Sequence, residues 1–346
     1  MKRLLAILVL VTILVAAGAA GMAWTRLKTP FKGYEAGEQF VEIPVGAGAS
    51  EIRQRLVDAG VVSDALTLRL ALRWTGASRD LQAGEYRFDR PMTAIEVINK
   101  IAGGDVYGQR ITFPEGLTIR EMAAVYEMRG LGRARDFIDA SRNVALIKDL
   151  DPAAPDLEGY LFPDTYTVGR TAVASKLIES MVAGFRAAYP AEAAQPDAAA
   201  AAGNHLPLTT RQLVTLASLV EKETGKPEER PVVSAVYRNR LRIGMPMQAD
   251  PTVIYALQKT GKYDGNIRKD DLLINSPYNT YKYRGLPPGP IASPGKAALE
   301  AAVRPADADY LFFVSRNDGS HVFSKTLDEH NRNVQEFQVR FFQRKR

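Results

Sequence analysis

The stretch Leu213-Val-Thr-Leu-Ala-Ser-Leu-Val-Glu221-Lys-Glu-Thr224 reads as a helix carrying a carboxylate on its apolar side. At about 100° per residue, Leu213, Val214, Leu216, Ala217 and Val220 fall on one face. Glu221 lands inside that arc, one turn after Ala217, and Lys222 points away. A glutamate among apolar neighbours has its charged form disfavoured, so its pKa rises and it can hold a proton near neutrality. The competing reading is a helix-edge glutamate that reaches solvent or forms half of an ion pair. Glu223 lies roughly 200° around the helix from Glu221, so the two are not expected to share one cleft. Thr209 and Thr210 are both placed to cap the helix start.

The N-terminus is the second strong signal. Met1-Lys2-Arg3 precedes an unbroken apolar run from Leu4 to Trp24, 21 residues, which matches a hydrocarbon core of ~30 Å. The apolar region of a cleaved signal peptide is shorter. The run therefore reads as an uncleaved signal anchor, with residues 1–3 a cytoplasmic tip, 4–24 the span and Trp24 an interfacial anchor. The Ala17-Gly18-Ala19 triplet is the feature a signal peptidase would use. No second span follows in the remaining chain, which places the bulk of it across the membrane.

At 346 residues and 46% apolar composition, the chain can build two or three modest domains around buried cores. A net charge of +6 suits an anionic partner. That charge is scattered, without the clustered Lys/Arg and interleaved aromatics of a nucleic-acid groove, so nucleic acid is not expected as a partner. The absence of cysteine excludes disulfides, thiolate nucleophiles and Cys-based metal sites. The three histidines, His205, His321 and His330, have irregular spacing that argues against a metal site. No glycine-rich phosphate cradle and no Gly-x-Ser-x-Gly turn occurs, and no cofactor is expected.

Residues 25–38 are polar, with Pro30, Gly33 and Gly37, and read as a linker. Residues 39–108 follow the order strand, helix, helix, strand, helix. The segments are Phe40–Val45, Glu51–Ala59 capped by Ser50, Leu66–Trp74, Gly84–Phe88 and Ala94–Ala102 capped by Thr93. This makes a small α+β module. Residues 109–346 read as a larger mixed α+β domain. It opens with a strand at Arg110–Phe113, a Pro-Glu-Gly turn and a helix capped by Thr118, which echoes residues 41–59. A helix spans Ser175–Ala188, an alanine-rich surface stretch follows to Asn204, and a second amphipathic helix covers Glu228–Leu241.

Two loops carry polar groups of interest. Gln248 and Asp250 precede a helix in which Pro251 suits the first turn, so Asp250 is either an N-cap or a site residue. Ser276 to Pro294 is dense in Pro, Gly, Tyr and amide side chains and cannot form a regular helix or central strand. Extended loops of this type present aromatic faces and amide hydrogen bonds to sugars, and the competing reading is a rigid surface loop. Tyr310–Val314 reads as a buried strand and Asn317-Asp-Gly319 as a hairpin turn. The segment after it can bring His321, Ser324 or Asn331 towards a cleft.

Several stretches together resemble the MltG/YceG-like family of endolytic murein transglycosylases. They are Glu158-Gly-Tyr-Leu-Phe-Pro-Asp-Thr-Tyr166, Leu216–Thr224, Asn239–Met245, Gln248–Tyr255, Asn275–Gly295 and His321–Asn331. The resemblance covers residues 40 to 340. It implies an α+β protein with an N-terminal transmembrane helix, a small LysM-like α+β module and a larger mixed α+β catalytic domain. It implies a single-pass protein of the bacterial inner membrane, mostly periplasmic. Peptidoglycan glycan strands are its implied substrate, and peptidoglycan synthases its implied neighbours. Glu221 stands at the implied catalytic position. It would protonate the oxygen between N-acetylmuramic acid and N-acetylglucosamine, then take the proton of the muramic acid 6-hydroxyl as that oxygen closes on C1. The product is a 1,6-anhydro end, with no second carboxylate needed as nucleophile. Gln248, Asp250, Tyr278, Asn279 and Tyr281 are expected to line the groove. The rival readings are a wall-binding scaffold without activity and a muramidase that uses water.

Overall fold

The computed structural model describes residues 2–44, 46–169, 173–191 and 207–344. Most of the alanine-rich stretch, with His205, lies outside them, as does Val45. The chain divides into two compact units, Met1–Arg110 with Thr167–Thr171 and Ile111–Tyr166 with Ala172–Arg346.

The first unit opens with α1 (Lys2–Lys28), long and apolar enough to cross a membrane over Leu10–Lys28. Its last turn belongs to a packed core. Leu27 is buried among Leu68, Leu72 and Ile98, and Trp24 meets Trp74 edge to face at 5.5 Å. The segment after α1 stays on the module: Phe31 bridges Met92, the Gly33 N–H donates to Gly60 O at 2.8 Å, and Tyr34 Oη donates to Phe88 O.

The module itself is a two-stranded antiparallel sheet carrying three helices. β1 (Gln39–Ile43) pairs with β2 (Gly84–Phe88), Gln39 opposite Phe88 and Ile43 opposite Gly84. Alternation sends Val41, Ile43, Tyr86 and Phe88 inward and Glu42 and Arg87 outward. The inward residues meet Leu56 of α2 (Ala49–Asp58), Leu68 of α3 (Ala65–Thr75) and Val97 and Ile101 of α4 (Ala94–Ala102). Thr93 and Glu96 form the reciprocal capping box that starts α4. Gly48, not Ser50, occupies the N-cap of α2, so that helix starts earlier than its sequence suggests.

β3 (Gln109–Thr112) pairs with β4 (Thr165–Val168), and the second unit contains a hairpin of β5 (Phe312–Ser315) with β6 (His321–Ser324). Asn317 and Gly319 take the positive φ values that the hairpin turn requires. β5 is only partly buried and begins later than the apolar run Tyr310–Val314 suggests. The helices are α5 (Ile119–Met128), α6 (Ala134–Ala140), α7 (Ala174–Ala188), α8 (Thr210–Glu223), α9 (Arg230–Arg242), α10 (Asp250–Lys259), α11 (Lys296–Val303) and α12 (Leu327–Val334).

α8 is the centre of this unit. Thr209 is its cap, in a capping box with Gln212. Every residue from Leu213 to Val220 is buried, so the helix is enclosed all round rather than on one face. Its polar members are satisfied locally: Thr215 Oγ1 donates to Arg211 O, and Ser218 Oγ donates to Thr215 O and accepts from the Ile291 N–H at 3.1 Å. α9, α10 and α11 pack around it. α8 ends at Glu223, so both of its terminal glutamates emerge where the helix leaves the core.

Candidate active site

Glu221 and Glu223 diverge, as the helical angle between them requires. The Glu221 side chain is 6% exposed and pairs with Arg230, itself 7% exposed, at 2.9 Å. Its other oxygen accepts the Gly295 N–H at 3.0 Å, at the N-cap of α11, where the helix dipole favours an anion. Arg230 also reaches Glu115 at 3.3 Å. Burial pushes the Glu221 carboxyl up, and the Gly295 amide and the Arg230 guanidinium oppose that rise. Each Glu221 oxygen therefore has a donor, and a proton on the carboxyl would break the pair. Glu221 is a buried ion-pair member linking α8, α9 and α11, not a carboxyl bare among hydrocarbon.

Glu223 has different surroundings. It lines a cavity of about 450 Å³ together with Tyr237, Arg240, Met247, Gln248, Asp250, Tyr281, Phe312, Phe313, Leu327, His330 and Asn331. That volume lies in the range of small-ligand sites. Tyr237 Oη donates to Glu223 Oε1 at 2.6 Å. Burial raises the Glu223 carboxyl to about 7; the Tyr237 hydrogen bond and the charges of His321 and Arg240 pull it down, and Asp250 pushes it further up. A carboxylic acid near 7 is poised to give and recover a proton at neutral pH. Arg240 is a buried cation whose Nε donates to Leu311 O at 2.7 Å and whose Nη1 donates to Met247 O. Its charge stands ready to stabilise a Glu223 carboxylate. The residue after Glu223 is clamped: Thr224 Oγ1 donates to Glu229 Oε2 at 3.0 Å, and that oxygen meets His321 Nδ1 at 2.7 Å.

Three of the five predicted groove residues gather in this cavity. Gln248 sits at φ 50°, a left-handed conformation uncommon for a residue with a Cβ and typical of functional positions. The N-cap of α10 is Ala249, and Asp250 is the first helical residue. Its carboxylate is consequently not spent on a cap and accepts from Tyr281 Oη at 2.5 Å. Asn331 lines the same cavity.

Tyr278 and Asn279 are placed elsewhere. The Tyr278 ring packs on Tyr255 at 4.9 Å, beneath the Lys259 ammonium. Asn279 is fully buried. Its Nδ2 donates to Leu272 O and Ile274 O, and its Oδ1 accepts from the Tyr281 N–H at 3.0 Å. Asn279 shapes the loop that delivers Tyr281 without lining the cavity. Ser324 is buried and accepts from Asn333 Nδ2 at 2.9 Å. Sequence reasoning missed Tyr237, Arg240 and His330. The first two follow at helical spacing in α9, and His330 lies next to Asn331 in the motif from which His321 and Asn331 were drawn.

A second buried acid lies in the same unit. Glu158 accepts from the Ile119 N–H at 3.0 Å and from Tyr255 Oη at 3.1 Å, and burial raises it to about 8. Among the described residues, no group of three or more histidines and acids is gathered to hold a metal.

The sequence profile of the YceG-like family matches residues 41–336, and the chain belongs to that family. It is 32% identical over 311 residues to the endolytic murein transglycosylase of Bacillus subtilis (strain 168), covering 84% of this chain and 82% of that one. It is 31% identical over 326 residues to the endolytic murein transglycosylase of Streptococcus pneumoniae serotype 2 (strain D39 / NCTC 7466), covering 86% of this chain and 58% of the longer relative. A crystal structure of a yceG-like protein from Listeria monocytogenes matches with a TM-score of 0.55 at 30% identity, over 86% of this chain and 98% of that one.

Proposed function

We propose that this chain is a membrane-anchored lytic transglycosylase that cuts peptidoglycan glycan strands internally, with Glu223 as its acid. The observation that carries the assignment is the Glu223 carboxyl, near 7, in the cavity that also holds Gln248, Asp250 and Tyr281. Glu221 has the better sequence position and the worse surroundings, because Arg230 and the Gly295 amide occupy both of its oxygens.

In this reading, protonated Glu223 gives its proton to the glycosidic oxygen of an N-acetylmuramic acid–N-acetylglucosamine bond. The carboxylate it leaves is held by Tyr237 Oη and the charge of Arg240. The substrate's own acetamido group stabilises the oxocarbenium-like carbon. The muramic acid 6-hydroxyl then closes on C1, and its proton is taken up within the same cavity. No second carboxylate has to attack, in contrast to the two-carboxylate retaining scheme. Asp250, hydrogen-bonded to Tyr281, offers acceptors to sugar hydroxyls.

The wider reading is a single-pass inner-membrane protein with its bulk in the periplasm, whose LysM-like module grips glycan beside the synthases. The burial of Leu27 and the Trp24–Trp74 contact favour a retained α1, because cleavage after Ala19 would leave the module with only a stub of the helix it packs on.

The deciding experiment incubates the full-length chain, and its Glu223→Gln and Glu221→Gln variants, with intact glycan strands and weighs the products. Anhydro ends from the wild type and none from Glu223→Gln are expected. Reducing ends, heavier by one water, would make the protein a muramidase, and binding without any product would make it a scaffold. Native turnover by Glu223→Gln would remove the assignment of the acid.

A further inference from the structure

We propose that His330 takes the proton of the substrate's C6 hydroxyl as that oxygen closes on C1, so that proton uptake and proton donation belong to two different side chains. This rests on the transglycosylase reading above and deepens it. His330 lines the same cavity as Glu223, from the opposite end of the sequence motif that begins at His321. Its ring stacks on Phe312 at 5.1 Å and 22° between planes, which fixes its plane. Its backbone N–H is used inside α12, donating to Thr326 O at 3.0 Å. Its Nδ1 is buried and has no hydrogen-bond partner. A buried ring nitrogen without a protein partner is costly and calls for an explanation, which a substrate hydroxyl entering the cavity would supply.

The groups around the imidazole favour its neutral, basic form. Burial lowers its proton affinity, and the charge of Arg240 from α9 acts in the same direction. The other ionisable groups of the cavity are Glu223 from α8, Tyr237 from α9, Asp250 from α10 and Tyr281 from the loop before α11. Of these, Asp250 is engaged by Tyr281 and Glu223 by Tyr237.

The proton balance closes. The bond from C1 to the leaving oxygen breaks and that oxygen receives the Glu223 proton. The O6–H bond breaks, O6 bonds to C1, and the hydroxyl proton passes to His330. Imidazolium and carboxylate then exchange the proton within the cavity, which restores both groups for the next turnover. The alternative acceptor is the Glu223 carboxylate itself, and the two assignments predict different product mixtures. Without the His330 base, the hydroxyl closes slowly and water can capture C1 instead.

The test compares full-length wild type with His330→Gln, His330→Ala and Glu223→Gln on intact glycan strands, scoring rate, pH profile and the ratio of anhydro to hydrated ends. His330→Gln is expected to lose at least ~100-fold in turnover, to shift its remaining product towards hydrated ends and to lose the acidic limb of the pH profile. Added imidazole is expected to restore part of the turnover of His330→Ala, which a purely structural role would not allow. A folded His330→Gln enzyme with native rate and native anhydro fraction, beside an inactive Glu223→Gln, would overturn this inference alone. An active Glu223→Gln would instead overturn the underlying function.

Discussion

The two glutamates that end α8 should respond to the same substitution with opposite signs in stability. Glu221→Gln removes one partner from a pair whose side chains are 6% and 7% exposed. Breaking a buried pair costs about 3–5 kcal/mol, since the remaining charge is left in a dry site. Arg230 keeps Glu115 as a second acceptor at 3.3 Å, but that carboxylate is half exposed, so the lower end of the range, ~3 kcal/mol, applies. For a unit of this size, that lowers the thermal midpoint by roughly 6–12 °C. Glu223→Gln works the other way. The folded protein holds Glu223 near 7 against an ordinary 4.5, so its protonated form is favoured by folding. That contribution is complete below the ordinary pKa and is lost as pH rises through about 7. At pH about 8.5 the wild type therefore carries a penalty of at most ~3 kcal/mol that glutamine does not. Glutamine still accepts from Tyr237 Oη. Calorimetry of both full-length variants in detergent, at about pH 5 and about pH 8.5, reads the result. Glu221→Gln should melt lower at about pH 8.5, where the Glu221–Arg230 pair is charged, and by less at about pH 5, because burial raises the Glu221 carboxyl and weakens the pair in acid first. Glu223→Gln should match wild type in acid and exceed it in base, while losing turnover. A Glu223→Gln protein that melts lower than wild type at alkaline pH, or a Glu221→Gln protein of unchanged midpoint, would refute the division of roles.

Other outcomes follow from the same structure. Wild-type turnover should fall as pH rises through about 7, because Glu223 must begin each cycle protonated; a rate that is flat from pH 6 to 9 would contradict it. Glu158→Gln should stabilise the enzyme at alkaline pH by at most ~5 kcal/mol, since burial holds this acid near 8, and chemical denaturation at two pH values measures the gain. Gly159→Ala should cost about 3 kcal/mol, because φ there is 84° and a new Cβ would lie 2.5 Å from Pro290 Cβ; thermal unfolding reads the loss. Tyr281→Phe removes the hydroxyl that Asp250 accepts and should raise KM about tenfold with kcat reduced less, a split that steady-state kinetics resolves.

Local signals carried most of the helices. Thr93, Thr118 and Thr209 each announce a capping box that the fold uses, and the alternation in β1 and β2 sends its apolar residues to one core. The site was legible as a set of segments but not as a set of contacts. A helical wheel shows that Glu221 and Glu223 diverge, yet it cannot show what waits on each side. Arg230, nine residues on, neutralises the one, and the cavity formed by α9, β5, α12 and two loops receives the other. Asp250 looked like a cap because Pro251 follows it, but the helix begins one residue earlier. Tyr278 and Asn279 lie in a proline-rich loop without periodicity, where nothing local says which side chains turn inward. The orphaned nitrogen of His330 is visible only once the chain has folded around it.

The last turn of α1 is built into the core of the first unit through Leu27, so no slack tether separates that helix from the module. With α1 in a bilayer, the module would ride at a set height, like a float on a short rigid mast. Reach, rather than chemical preference, would then decide which surfaces that module can touch.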